Sequence, residues 1–102
     1  MPQNEYRDYN DRSRSVFGVI WVQLGAFTDQ SKINAIKKEI SFCFDRRFEA
    51  DDYLFDDAQR EFMEDMFEAF KIYNINLTSG QAEKLSYWVI DSMRFNFEGV
   101  DG

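Results

Sequence analysis

The sequence predicts an all-α fold, a compact bundle of three to four helices over residues 16–102, preceded by a flexible N-terminal arm over residues 1–15. Three observations support this prediction: apolar residues recur at helical spacing in several segments, two segments carry capping-box signatures, and only short stretches alternate as strands do. A chain of 102 residues is long enough for one domain with a modest core. Eleven phenylalanines and an aromatic fraction of 18% supply the apolar surface that such a core requires.

The first apolar segment leaves a choice between helix and strand. Residues 1–15 contain few bulky apolar side chains and mix both signs of charge, which is typical of a loosely held arm. The run over 16–27 is rich in β-branched and aromatic residues, so it suits a buried strand as well as a short buried helix. We favour the helix because the chain offers little with which a strand could pair. The alternative is an α+β fold in which residues 16–24 and 72–77 form a small two-stranded sheet.

The second segment predicts a helix from about Thr28 to Phe48. Either Thr28 or Asp29 can cap its first turn, since a side-chain oxygen at that position accepts a hydrogen bond from a free backbone amide. One face of this helix carries the residues that we assign to the core: Ile33, Ile36, Ile40, Cys43, Phe44 and Phe48. Phe42 points away from that face, so the core of a single chain does not explain it.

The third helix is predicted after an acidic loop over residues 49–56. Asp56 and Gln59 have the spacing of a capping box, which would open this helix at about residue 57. The apolar face comprises Phe62, Met63, Met66, Phe67, Phe70 and Tyr73. Residues 74–77 then form the connection to the next helix.

The fourth helix begins with a second capping box, formed by Thr78 and Gln81, and runs to about Phe97. Its apolar face comprises Ala82, Leu85, Val89 and Met93. Trp88 and Phe95 lie well round from that face. Together with Phe42 they are candidates for the interface of a homo-dimer or higher oligomer.

The net charge of −7 belongs entirely to one part of the chain. Residues 45–70 contain ten carboxylates and three arginines, and the rest of the chain is neutral. An acidic surface is repelled by nucleic acid and by anionic membranes, so we expect no direct binding to either. The longest apolar run, 16–27, is about 12 residues, well short of the roughly 20 that span a bilayer. A single cysteine, Cys43, forms no internal disulfide, which favours the cytoplasm.

Enzyme activity, metal binding and a cofactor are not expected. The chain has no histidine, which is the usual general base and the commonest metal ligand. The acidic loop has no register in which oxygen ligands, a glycine and a final glutamate match a helix-loop-helix calcium site. The five glycines form no phosphate-binding loop. Cys43 lies on the predicted core face of the second helix, where it is expected to be an ordinary buried thiol.

The acidic face of the third helix is the candidate functional surface. An exposed helix usually alternates acids with bases, whereas here Asp57 and Glu61, Glu61 and Asp65, and Glu64 and Glu68 are like-charge pairs, each costing roughly 0.2–0.5 kcal/mol. The preceding loop sets aromatic side chains among carboxylates, a pattern typical of an interface with a basic protein. The candidate partner-binding residues are Asp51, Asp52, Tyr53, Phe55, Asp56, Asp57, Glu61, Glu64, Asp65 and Glu68.

These features indicate a small acidic protein-binding module. The sequence suggests an inhibitor that docks its acidic and aromatic surface on the basic nucleic-acid-binding groove of a partner enzyme, as immunity proteins, antitoxins and phage anti-defence proteins do. The alternative is a structural or assembly subunit of a homo-oligomer or larger complex, in which the acids only confer solubility.

Overall fold

The computed structural model describes residues 9–49 and 52–99, and all the regular structure in these residues is helical. The helices are α1 (Tyr9–Gly25), α2 (Gln30–Phe48), α3 (Phe55–Ile72) and α4 (Ser79–Met93), and α4 continues into a π-helical segment (Arg94–Gly99). The all-α prediction is confirmed. The two-stranded sheet is not supported, because residues 16–24 lie within α1 and residues 72–77 end α3 and connect it to α4.

Helix α1 begins earlier than the sequence suggested. Residues 9–15, which we assigned to the N-terminal arm, form its first two turns, and residues 1–8 lie outside the described part of the chain. The reason is that the row of buried residues on α1 continues towards the N-terminus beyond its last bulky apolar residue, Val16. Its inward row, in which a small serine occupies one position, comprises Ser13, Val16, Ile20 and Leu24.

The core face of α2 is confirmed, since all six of its predicted residues are buried. Phe44 is the centre of an aromatic cluster that draws on α1, α2, α3 and the π-helical segment. Its ring lies 4.6 Å from Phe48, 4.9 Å from Phe62, 5.2 Å from Phe17 and 5.3 Å from Phe97, measured between centroids. Aromatic pairs at such distances gain energy beyond the burial of their area. The cluster therefore holds one end of the bundle together.

Helix α3 starts before the predicted capping box. Its N-cap residue is Leu54, which makes no side-chain hydrogen bond, so the predicted box of Asp56 and Gln59 is wrong. Because the helix begins at Phe55, Asp56 and Asp57 lie in its first turn, where the helix dipole stabilises negative charge. Gln59 turns inward instead of capping.

The turn between α3 and α4 and the start of α4 follow their local sequence. Asn74 adopts a left-handed conformation with φ 61°, and the amide of Ile75 donates to the carbonyl of Phe70 at 2.8 Å, which closes the end of α3. The second capping box is confirmed. The amide of Gln81 donates to Thr78 Oγ1 at 3.1 Å, and the amide of Thr78 donates to Gln81 Oε1 at 3.0 Å.

The four helices do not pack equally on one another. Helix α3 lies mainly against α2, and α4 lies mainly against α1, so the seam between α3 and α4 is loose. The bundle is elongated, with extents of 44 × 23 × 22 Å. None of the helices in the described residues has the length and apolarity that crossing a bilayer requires.

Candidate protein-binding surface

The carboxylates of α3 divide into an exposed group and a group held against α2. Asp56, Asp57, Glu64 and Glu68 are exposed, as is Asp52 in the loop before the helix. Asp51, which we also predicted for this surface, lies outside the described residues. The acidic face is therefore present, but only some of its carboxylates are exposed to solvent.

Arg47 of α2 binds the remaining two carboxylates. Its Nη1 donates to Glu61 Oε1 at 3.1 Å and its Nε donates to Asp65 Oδ2 at 3.0 Å, so one guanidinium joins both acids to the neighbouring helix. The hydrogen bond to Asp65 and the two negative charges raise the pKa of Arg47 above its ordinary value. The like-charge pair of Glu61 and Asp65 is thereby compensated within the chain, which the sequence did not predict.

Two further ion pairs on this surface are weak. Arg60 Nη2 lies 3.2 Å from Asp57 Oδ1 one turn away on the same helix, and Arg94 Nη2 lies 4.0 Å from Asp56 Oδ1. All four side chains are more than half exposed, and exposed pairs of this kind contribute about 0–1 kcal/mol. Glu64 and Glu68 make no ion pair with any residue in the described part of the chain.

The aromatic residues of the acidic loop lie against the core. The ring of Tyr53 is 5.1 Å from that of Phe48, and the ring of Phe55 is 6.0 Å from it. Burial raises the pKa of Tyr53, although the charge of Arg12 opposes this. Both rings are half-buried and less available to a partner than the sequence suggested. The reason is that α2 ends at Phe48, and the rings of the following loop pack on the Phe48 side chain. Leu54, between them, is the exposed apolar side chain, at 69%.

An apolar groove runs along the loose seam between α3 and α4. One cavity, of about 460 Å³, is lined by Gln59, Arg60, Met63, Glu64, Phe67 and Ile90. A second, of about 370 Å³, is lined by Phe67, Phe70, Lys71, Ile75, Asn76, Leu77 and Ala82. Phe67 belongs to both, so the two cavities adjoin. Sequence reasoning missed this groove, because it placed Met63, Phe67 and Phe70 on the core face of α3 without showing how closely α4 packs against that face.

Gln59 is the polar residue buried in this groove. Its side chain is 9% exposed, and its Nε2 has no hydrogen-bond partner among the described residues. A buried donor without an acceptor costs about 1–3 kcal/mol. The sequence did not predict this burial, because a glutamine three residues after Asp56 has the spacing of a capping box.

The exposed aromatic residues of the other helices are where the sequence predicted them. Phe42, Trp88 and Phe95 are all exposed. The guanidinium of Arg46 lies 5.2 Å from the centre of the Phe42 ring. Tyr87, which we did not single out, is exposed beside Trp88, with the two rings 5.4 Å apart.

No group of residues in the described ranges offers a metal site of three or more histidine, cysteine or carboxylate side chains. Cys43 is buried on the core face of α2, as predicted. Burial and the charge of Glu39 raise the pKa of its thiol, which keeps it protonated and unreactive. Neither feature adds a chemical step to the surface described above.

Known proteins offer no guide to this surface. No protein-family model, curated protein or solved structure matches this chain. Its function is therefore inferred from the chemistry of its own residues.

Proposed function

We propose that this protein acts by binding another protein, and that it presents the exposed carboxylates of α3 to a basic surface on that partner. The single observation that carries the proposal is the pair Glu64 and Glu68, exposed on one face and without a cation among the described residues. Asp56 and Asp57 extend the same acidic surface toward the start of the helix. Unpaired charges of one sign steer association with a surface of the opposite sign.

The partner that we propose is an enzyme that handles nucleic acid, and the protein inhibits it by covering its binding groove. Five carboxylates between Asp57 and Glu68 span about 16 Å along the helix, a lower charge density than the one charge per roughly 1.7 Å of duplex DNA. Arg47 neutralises part of this charge, so the resemblance to DNA is partial. Small acidic immunity proteins, antitoxins and phage anti-defence inhibitors act in this general way. We place it in the cytoplasm, where a lone buried thiol such as Cys43 stays reduced.

The test is affinity capture from the lysate of the native host with matched charge variants. Glu64→Lys with Glu68→Lys reverses the proposed surface, and Glu83→Lys with Asp91→Lys makes the same change of charge on exposed positions of α4. We expect the wild type and the α4 variant to capture a nucleic-acid-binding protein and to displace duplex DNA from it, and the α3 variant to do neither. If all three proteins capture the same partner equally well at low and high salt, electrostatic docking through α3 is wrong.

A second candidate function is that of an assembly subunit. The observation that favours it is the exposure of the large apolar side chains of Phe42, Trp88 and Phe95, of which Trp88 has the exposed ring of Tyr87 beside it. Sedimentation at two ionic strengths discriminates between the two functions. An oligomer whose mass does not change with salt supports assembly, and a monomer at both salt concentrations supports the inhibitor.

A further inference from the structure

We infer that the groove between α3 and α4 receives an amphipathic helix of the basic partner, with an apolar side chain in the cavity beside Ile90 and lysine or arginine side chains on Glu64 and Glu68. This inference rests on the proposed function, because Glu64, one of the carboxylates that attract the partner, also lines the groove, and Glu68 follows it one turn further along α3. It adds the type of element that binds and the place where it lies.

The dimensions of the groove suit a helix. The two adjoining cavities extend along α3 from Gln59 to Lys71, which is about 18 Å, or roughly three helical turns. Their walls are mostly apolar, with Met63, Phe67 and Ile90 at the centre. The groove is open along its length, so a long element can lie in it. An amphipathic helix that lays its apolar face into such a groove is a recurrent mode of peptide recognition.

Gln59 provides an independent sign that something binds here. Its amide nitrogen has no acceptor among the described residues, although the residue is nine-tenths buried and lines the larger cavity. The nitrogen itself is buried, so the terminal amide has to rotate before this nitrogen reaches an acceptor placed in the cavity. A partner helix with a serine or asparagine in its apolar row supplies such an acceptor, and the unsatisfied donor then gains its hydrogen bond on binding.

The charge along the α3 rim selects a basic helix. Five charged side chains lie along this side of α3, of which Arg60, Glu64 and Lys71 line the cavities and Asp57 and Glu68 lie beside them, and their net charge is −1. Arg60 is already paired with Asp57, so the two carboxylates of Glu64 and Glu68 remain for the partner. Lys71 lies beyond them, at the end of the groove next to Leu77. A second copy of this chain has a net charge of −7 and is repelled at long range, whereas a lysine-rich helix is attracted.

The probe is a pair of labelled synthetic peptides of about 18 residues, a length of about 27 Å as a helix. Both contain leucine, lysine and one serine. In the first, the leucines and the serine follow i, i+3, i+4, i+7 spacing, and in the second the same residues are scrambled. Fluorescence anisotropy at physiological ionic strength measures binding to the folded wild-type protein and to four sets of variants.

We expect the wild type to bind the amphipathic peptide about tenfold more tightly than the scrambled one. Ile90→Glu removes this preference, whereas Phe42→Glu, which adds the same charge at an exposed apolar site outside the groove, keeps it. Gln59→Leu lowers the affinity for the amphipathic peptide about fivefold, which corresponds to the loss of one hydrogen bond. Glu64→Lys with Glu68→Lys weakens both peptides. If Ile90→Glu does not fold, amide chemical shifts of the wild type take its place, and we expect the amphipathic peptide to perturb residues 59–71 and 82–90.

Each contrary result has a distinct meaning. Equal affinity of the wild type for the two peptides overturns the groove and leaves charge-driven docking standing. Affinities that the double lysine variant does not change overturn the proposed function itself. A dimer of the protein alone that Ile90→Glu dissociates and Phe42→Glu does not overturns the inference in favour of a second copy as the occupant.

Discussion

Replacing Arg47 by methionine removes the cation that joins α2 to the acidic face of α3, while methionine keeps most of the apolar stem. The side chain of Arg47 is 28% exposed, that of its partner Asp65 is 26% exposed and that of its partner Glu61 is 40% exposed. The bond to Asp65 is the more sheltered and contributes about 1 kcal/mol, and the bond to Glu61 contributes a few tenths after screening by solvent. The uncompensated repulsion between the two acids adds roughly 0.2–0.5 kcal/mol. We therefore expect a loss of about 1.5 kcal/mol.

Urea unfolding followed by circular dichroism measures this loss as a lower midpoint, and thermal unfolding as a fall in melting temperature of about 6–12 °C. The matched control is Arg60→Met, which removes the same charge from an exposed pair within α3 and should cost no more than about 0.5 kcal/mol. If Arg47→Met is no more destabilising than Arg60→Met, the two bonds of Arg47 do not hold α2 and α3 together.

The same change has the opposite effect on the proposed binding surface. Without Arg47, the carboxylates of Glu61 and Asp65 join those already exposed on α3, so we expect the less stable protein to bind the basic partner and the lysine-rich peptides more tightly. A fall in affinity would indicate that Arg47 orders the surface that binds. Stability and binding are therefore to be measured on the same preparation.

Three further predictions concern single side chains. Gln59→Leu replaces an unsatisfied buried donor by an apolar group of similar size, so we expect urea unfolding to show a gain of about 1 kcal/mol. Gly18 lies on the exposed face of α1, with open space where the Cβ of an alanine would lie, so Gly18→Ala should raise the free energy of unfolding by about 0.5–1 kcal/mol. Burial and a 2.6 Å hydrogen bond to Asp45 raise the pKa of Tyr9, so the unfolded chain loses this proton first and stability should fall as the pH rises above about 10. Tyr9→Phe should lessen that fall in pH-dependent unfolding.

The helices and their inward faces were predictable because the information is local. The six core residues of α2 were identified from a period of 3.6 residues, and the capping box of Thr78 and Gln81 from a spacing of three. The same projection indicated that Phe42 points away from the core. Where local patterns competed, the prediction failed. Asp56 and Gln59 have the spacing of a capping box, yet α3 starts earlier, at Phe55, and Gln59 is buried. The ring of Phe55 packs on that of Phe48 at this early start of the helix.

The state of the candidate surface was decided by which helices are neighbours. The sequence by itself determined that α3 carries an acidic face, since that depends only on the rotation of each residue about its own helix. Other contacts depend on the packing of segments that are distant in the sequence. Arg47 binds Glu61 and Asp65 across two helices. In the same way, Tyr53 and Phe55 pack on Phe48, and Tyr9 donates a hydrogen bond to Asp45. The groove has the same origin: α3 packs on α2 and α4 packs on α1, and the seam left open between α3 and α4 is lined by apolar side chains of both helices.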